Sequence, residues 1–292
     1  MILSGLCFVV VNFFVKILGT DPLQEIIPNV QKYPAHELVL ARSIVSFAIS
    51  AFIIKRKNIP FFGVNKKWLI IRGLAGTLAL TMFFYTLHNM PMAIAAIIQY
   101  LAPIFTVILA MILLKEKVKL IQWFFIGMAF TGVGMIALDQ LTSITLESNK
   151  ISILNIGIGI VAAVLSGVAY TAVIKLKKTD VPITIVMYFP MVSIPLMTIL
   201  CLWKFTMPEG IEWLILFIIG LFTQFAQILL TKALHKGSAS TITPIQYLGA
   251  IYMFLIGYFV FDDRLSFIVN IGMATILFAV FLNAIVRHCI VK

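Results

Sequence analysis

Charge is scarce in this chain. Only 11% of its 292 residues are charged and only 11 are acidic, where a soluble protein carries about a quarter charged residues. That scarcity excludes an ordinary water-soluble domain. Cysteine is rare as well: Cys7, Cys201 and Cys289 stand far apart in apolar segments, with neither metal-ligand spacing nor a disulfide framework. There is no phosphate loop, nucleophile elbow, His-Glu zinc motif or Cys/His cluster, so no cofactor or metal is expected. The short alternating strands of a membrane barrel are missing, as is any low-complexity tract. Met1 leads directly into an apolar run, with no basic stretch before it and no small-residue cleavage site ahead of Lys16. This reads as a first membrane span rather than a signal peptide.

What is abundant is apolar sequence, 62% of the chain. Charges cluster in short segments separated by apolar runs of about 20 residues, the length at which a helix crosses roughly 30 Å of hydrocarbon. Only a helix or a closed barrel satisfies its own backbone in lipid. The expected fold is therefore an all-α integral membrane protein of ten transmembrane helices. They fall roughly at 1–18, 37–54, 68–88, 91–114, 119–138, 152–175, 182–203, 211–231, 238–260 and 265–287. The longest links, 19–36 and 139–151, hold turn and polar residues such as Asp21-Pro22 and Ser148-Asn149. A formal charge of +11 would suggest nucleic acid in a soluble protein, but here the positive-inside rule accounts for it. No nucleic-acid partner is expected.

One stretch occurs twice. Leu87-His88 and Ile98-Gln99-Tyr100-Leu101 reappear, at one constant offset and without a gap, as Leu234-His235 and Ile245-Gln246-Tyr247-Leu248. The same offset sets Lys115-Glu116-Lys117 against Asp262-Asp263-Arg264. The chain is read as two copies of one five-helix unit, residues 1–140 and 150–292. Five is odd, so the second copy enters the membrane inverted. Charge agrees. With the N-terminus in the cytoplasm, most of the 22 basic residues fall inside, among them Lys55, Arg56, Lys66, Lys67, Arg72, Lys177 and Lys178. Most acids, including Glu37, Glu209, Glu212 and Asp262, fall outside. Lys115-Glu116-Lys117 lies on the inner face and its acidic counterpart on the outer one.

Inverted repeats expose a site on their pseudo-symmetry axis alternately to each side, near mid-membrane. Gln99 and Tyr100 sit in the middle third of span four, and Gln246 and Tyr247 at the same depth in span nine. In hydrocarbon these groups need partners. They read as a symmetric pair of solute contacts, or as interhelical hydrogen bonds that hold the bundle. Pro103 and Pro244 free carbonyls and bend the helices beside them. Arg42 lies about a third of the way into span two. Its guanidinium needs a solute carboxylate or phosphate, or a snorkelling pair with Glu37. Asn12, Tyr85, Tyr170, Gln224 and Gln227 are further candidate lining residues, the two glutamines being three apart on one helix face. Lys16 and Lys175 read as interfacial anchors. His88 and Glu37 are the candidates for ion coupling. No other acid lies deep in a span, so exchange or facilitated movement fits equally. Gly73-x-x-Gly76, Gly127 through Gly132-x-Gly134, and Gly157-x-Gly159 read as close helix packing.

The ten spans, the five-plus-five duplication, Arg42 in span two, Pro103 in span four and the Lys115-Glu116 end of that span together resemble the drug/metabolite transporter superfamily. The likeness is to its EamA-type members and covers essentially the whole chain. Asp262-Asp263-Arg264 departs from the usual Lys/Glu pair, and the span-one glutamate of the smaller multidrug-resistance relatives is missing. The resemblance implies a bundle in which spans one to four and six to nine enclose a cavity, with spans five and ten outside. It implies transport of a small organic solute, amino-acid-like, nucleotide-related or drug-like, across the cytoplasmic (inner) membrane, commonly as export. Partners are then the solute and membrane lipid, with the chain a monomer or homodimer. The competing reading is a membrane-embedded enzyme acting on a lipid-linked substrate through His88 and Glu37. Labelling of tagged chain ends in intact cells should find both termini on the cytoplasmic side; ends on opposite sides would mean a different span count.

Overall fold

In a computed structural model the chain is described over residues 2–19, 30–114, 120–142, 153–203, 205–236, 248–262 and 265–290. Every regular element among them is helical: α1 (Ile2–Gly19), α2 (Ala35–Arg56), α3 (Lys66–Asn89), α4 (Met92–Gln99), α5 (Ala102–Leu114), α6 (Leu120–Thr142), α7 (Ile153–Leu176), α8 (Pro182–Cys201), α9 (Glu212–Lys236), α10 (Leu248–Val260) and α11 (Phe267–Ile290). Among the described residues, seven stretches are long and apolar enough to span a membrane: α1, α2, α3, α4 with α5, α7, α8 and α9. Trp123–Ile136 in α6 and Phe267–Ala279 in α11 are shorter apolar stretches. This is a multi-pass, all-helical membrane protein. Gln246 and Tyr247, with Pro244 and the charged segments Lys115-Glu116-Lys117 and Asp263-Arg264, lie outside the described residues.

Local chemistry sets the helix boundaries. Pro182 opens α8 in its first turn, where a missing N–H costs nothing. The Asn65 side chain accepts the Trp68 N–H at the start of α3. The span expected at 91–114 is broken in two. Pro103 has no N–H to give to the Gln99 carbonyl one turn back, so α4 stops at Gln99 and α5 begins at Ala102. The break is bridged by tighter bonds, Leu101 N–H to Ile98 O at 3.0 Å and Ile104 N–H to Leu101 O at 2.9 Å. It presents Gln99 and Tyr100 at a kink rather than along a straight wall.

Connections between helices meet at two ends of the bundle. At one, the buried Asp180 carboxylate accepts the N–H groups of Val64 (2.6 Å) and Asn65 (3.3 Å), joining the α7–α8 turn to the start of α3. At the other, the buried Glu212 accepts the Gln31 N–H (2.5 Å), the Tyr33 hydroxyl (2.5 Å) and the Glu209 N–H (2.8 Å). Burial first, and the Glu212 carboxylate second, push the Tyr33 phenol up, so it stays protonated and donating. Glu37 is tied at this same end to the Thr206 N–H, at 3.1 and 3.2 Å.

Neighbouring helices form a regular network. α3 packs on α7 and α1 on α9. α2 meets α9 and α3 meets α8. α5 meets α7 and α1 meets α10. α2 faces α8, α4 faces α10, and α6 pairs with α11. Glycines permit two of the closest approaches. A Cβ on Gly73 would lie 2.6 Å from Val192 and 2.9 Å from the Tyr188 carbonyl of α8. Gly132 of α6 and Gly272 of α11 face each other reciprocally, each added Cβ falling 2.6–2.8 Å from the other's carbonyl. Gly159 packs on Ile98, whereas Gly127, Gly134 and Gly157, expected as packing sites, have open space where a side chain would go. Gly132→Leu or Gly272→Leu should therefore wedge α6 from α11 at a cost of about 1–3 kcal/mol. Thermal unfolding of the purified protein should show the drop, with Gly127→Ala close to unchanged.

Candidate functional site

A cavity of roughly 160 Å³ lies in the bundle, walled by α1, α2, α3, the α4–α5 break, α7, α8, α9 and α10. Among the described residues, none of α6 or α11 lines it. Engineered protein cavities of about this size hold a single aromatic ring. Most of the wall is apolar, with Phe8, Phe83, Phe84 and Phe189 prominent, and the polar groups are few and inward-facing. The cavity takes Ser4 to Asn12 from α1, Ser166 to Tyr170 from α7 and Gln227 to Leu230 from α9. It is thus displaced toward the end held by Asp180. Toward the Glu212 end the bundle is filled: Met92 to Ile98 of α4 are all buried. Lys16, expected as an interfacial anchor, is buried there, its Nζ donating at 2.8 Å to the carbonyls of Leu87 and Met90 that end α3. Lys175 is exposed.

Most of the residues expected to meet solute come together here. Gln99 stands at the helix break, its amide donating to Ser166 at 2.7 Å while its Oε1 is buried without a partner. Tyr100 turns across the cavity toward α10, where its hydroxyl lies so close to Gly249 that any Cβ there would overlap it. Asn12 reaches the Met253 sulfur at 3.9 Å. Arg42, Tyr170 and Gln227 complete the set. Arg42 is fully buried, with its guanidinium over Phe189 and Phe84 at 5.2 and 5.7 Å. The anticipated pairing with Glu37 is not formed, because Glu37 serves Thr206 instead.

Two candidates lie elsewhere. Tyr85 is 41% exposed on the outside of the bundle, at the start of the last turn of α3. Gln224 is buried between α9 and α2, accepting from Ser46 and donating to Ser50 at 2.7 Å. Three residues on a helix still differ by 60° in direction, enough to send Gln224 to α2 and Gln227 to the cavity. His88 is off the cavity wall, its Nε2 3.1 Å from the Val15 carbonyl. Glu37 is off it too. Sequence reasoning had placed Arg72 among the cytoplasmic basic residues and passed over Ser166. Arg72 is only 4% exposed. It lies over Phe189 at 5.6 Å and donates to Gln227 Oε1 at 3.3 Å. The signal was its depth, a turn and a half inside α3 beside the Gly73 and Gly76 that draw α8 close.

The two glutamines should separate cleanly. Gln224→Ala strands the Ser46 and Ser50 hydroxyls in the bundle and should cost about 1–3 kcal/mol, seen as a lower Tm. Gln227→Ala strands a single Arg72 donor on the cavity wall and should lower Tm less, at a cost of about 1 kcal/mol.

Comparison with known proteins places the chain among membrane transporters. The chain matches the EamA-like transporter family over residues 1–138 and 154–285. It is 24% identical over 226 residues to the pseudopaline exporter CntI of Pseudomonas aeruginosa (strain UCBPP-PA14), covering 75% of each chain. It is 26% identical over 272 residues to solute carrier family 35 member G1 of Mus musculus, covering 90% of this chain and 71% of that one. It is 24% identical over 274 residues to the riboflavin transporter of Vibrio cholerae, covering 89% and 83%. A crystal structure of a protein 16% identical in sequence superimposes with a TM-score of 0.64 over 99% of both chains, a likeness of fold. With both halves of its length matched, the chain belongs to the EamA-like transporter family, within the drug/metabolite transporter superfamily.

Proposed function

We propose that this protein is a secondary or exchange transporter that carries a small organic metabolite across the cytoplasmic membrane by alternating access, in the export direction. The observation that carries this reading is the cavity inside the bundle, apolar for the most part with a few inward-facing polar groups, and walled by α1, α2, α3, the α4–α5 break, α7, α8, α9 and α10. Asn12, Arg42, Gln99, Tyr100, Tyr170 and Gln227 would bind the solute there, with Gln246 and Tyr247 as the second-repeat counterparts of Gln99 and Tyr100.

The reading rests on ten spans in two inverted repeats, with α4 and α5 forming one broken span. Two features support that. Helices α2, α3 and α6 begin at residues 35, 66 and 120, and α8, α9 and α11 at 182, 212 and 267, one shared spacing to within a residue. The contacts exchange under the same shift: α3 on α7 with α9 on α1, α2 on α9 with α8 on α3, and α5 on α7 with α10 on α1. The pairs α2–α8 and α6–α11 map onto themselves. Lys55, Arg56, Lys66, Lys67, Lys177 and Lys178 flank the Asp180 end, which the positive-inside rule assigns to the cytoplasm. The cavity then faces the cytoplasm, and the Glu212 end is the sealed outer gate. Export is the direction named for the Pseudomonas relative. The enzyme alternative needs His88 and Glu37 to act together, but each is engaged with a different partner.

Reconstituted in proteoliposomes, the protein should support counterflow of a metabolite. Gln99→Ala and Asn12→Ala should each lower it roughly tenfold or more, consistent with loss of about 1.4 kcal/mol or more of solute binding, while Tyr85→Phe leaves it unchanged. Full flux in Gln99→Ala would remove the cavity as the solute site.

A further inference from the structure

Among the described residues, the cavity wall holds two cations and no anion. Arg42 and Arg72 are 1% and 4% exposed, and no Asp or Glu lines the space they share. Both guanidiniums lie against one aromatic ring, Phe189, with their central carbons 5.2 and 5.6 Å from its centroid. The Nε of each is buried without an acceptor. Arg72 has only the neutral Gln227 amide oxygen, at 3.3 Å. Glu37, the acid nearest Arg42 in sequence, bonds to Thr206 at the outer end. A ring face attracts a cation but does not neutralise it. Two like charges on one ring also repel each other, and an ionised group away from water is costly unless an opposite charge meets it. Guanidinium is the side chain whose fixed fork fits carboxylate and phosphate oxygens.

We infer that the solute carries two negative charges, as a dicarboxylate or a phosphate monoester, on a small body that packs against the phenylalanine wall. The inference rests on the cavity being the solute site. The two arginines take the anionic oxygens beside Phe189. Loading neutralises the pair, so a filled carrier is electrostatically closer to balance than an empty one, and neutral or cationic solutes are excluded. Pre-placed charge that lowers the stability of the empty protein is the usual signature of a binding site rather than of a structural ion pair.

The test uses the full-length protein in detergent and a ring series differing only in charge: phthalate, phthalamate and phthalamide, with phenyl phosphate against methyl phenyl phosphate and with xylylenediamine as the cation. Thermal unfolding should rise with the two dianions at millimolar concentration. The monoanions should bind roughly tenfold more weakly, and the neutral and cationic members should have no effect. Arg42→Met and Arg72→Met keep the apolar stem and remove the charge. Each should abolish the shift while the ligand-free Tm holds or rises, and Arg42→Lys should keep part of the response. Phthalate against phenyl phosphate distinguishes the two sources of charge. The inference is overturned if phthalamide or the diamine stabilises as well as the dianions. It is equally overturned if no dianion shifts Tm, if the methionine variants keep the response, or if both variants lose Tm without ligand. Counterflow of a neutral metabolite would leave the transporter reading standing and remove the dianion. Dianion binding with no flux in sealed vesicles would do the reverse.

Discussion

A polar side chain that enters hydrocarbon has to find its partner inside the bundle, and most of this architecture follows from that requirement. Ser4 donates to the Ala226 carbonyl at 2.8 Å and fixes α1 on α9. Ser43 and Ser193, 3.0 Å apart, join α2 to α8. Gln224 clips two serines of α2 at once. Each of these groups spends its bonding capacity on a neighbouring helix and thereby sets which faces meet. The cavity is where this rule is left incomplete. Gln99 keeps an unpaired oxygen there, and two arginines keep unpaired nitrogens. Most of these polar residues thus either hold neighbouring helices together or face the cavity, and Ser4 does both.

Much of this division was legible in the sequence, for reasons that can be named. Proline lacks an N–H, so Pro103 announced the break that puts Gln99 and Tyr100 on the cavity. Arg42 and Asn12 were isolated polar groups far from any span end. Depth alone, however, does not give direction. Gln224 and Gln227 looked equivalent by spacing, yet one turns to the serines of α2 and the other to Arg72. Tyr85 had a plausible depth and faces outward. Arg72 sits near Lys66 and Lys67 at the start of α3, and a long basic side chain there normally reaches back to the interface. Tertiary context turned it inward: Gly73 and Gly76 admit α8 closely enough to bring Phe189 beneath its guanidinium.

The two ends are tied in related ways. At each, a buried carboxylate collects backbone N–H groups from a connection between helices, Asp180 from the entry to α3 and Glu212 from the segment before α2. The carboxylate sits on the turn in one case and at a helix start in the other. Such ties fix geometry without using apolar surface, which a membrane protein cannot count on to drive helices together.

The Glu212 tie has a consequence for speed. Its donors, two backbone amides, the Gln31 side-chain amide and a phenol, are all groups that water replaces almost one for one. Breaking the tie exposes a carboxylate that hydrates readily, so the ruptured form is little worse than the intact one. Such a fastening is directional and shallow: it defines one shape sharply, and contacts of this kind part readily on the microsecond-to-millisecond scale of helix rearrangements. A tight apolar seam at the same place would have defined the shape equally well and released it far more slowly.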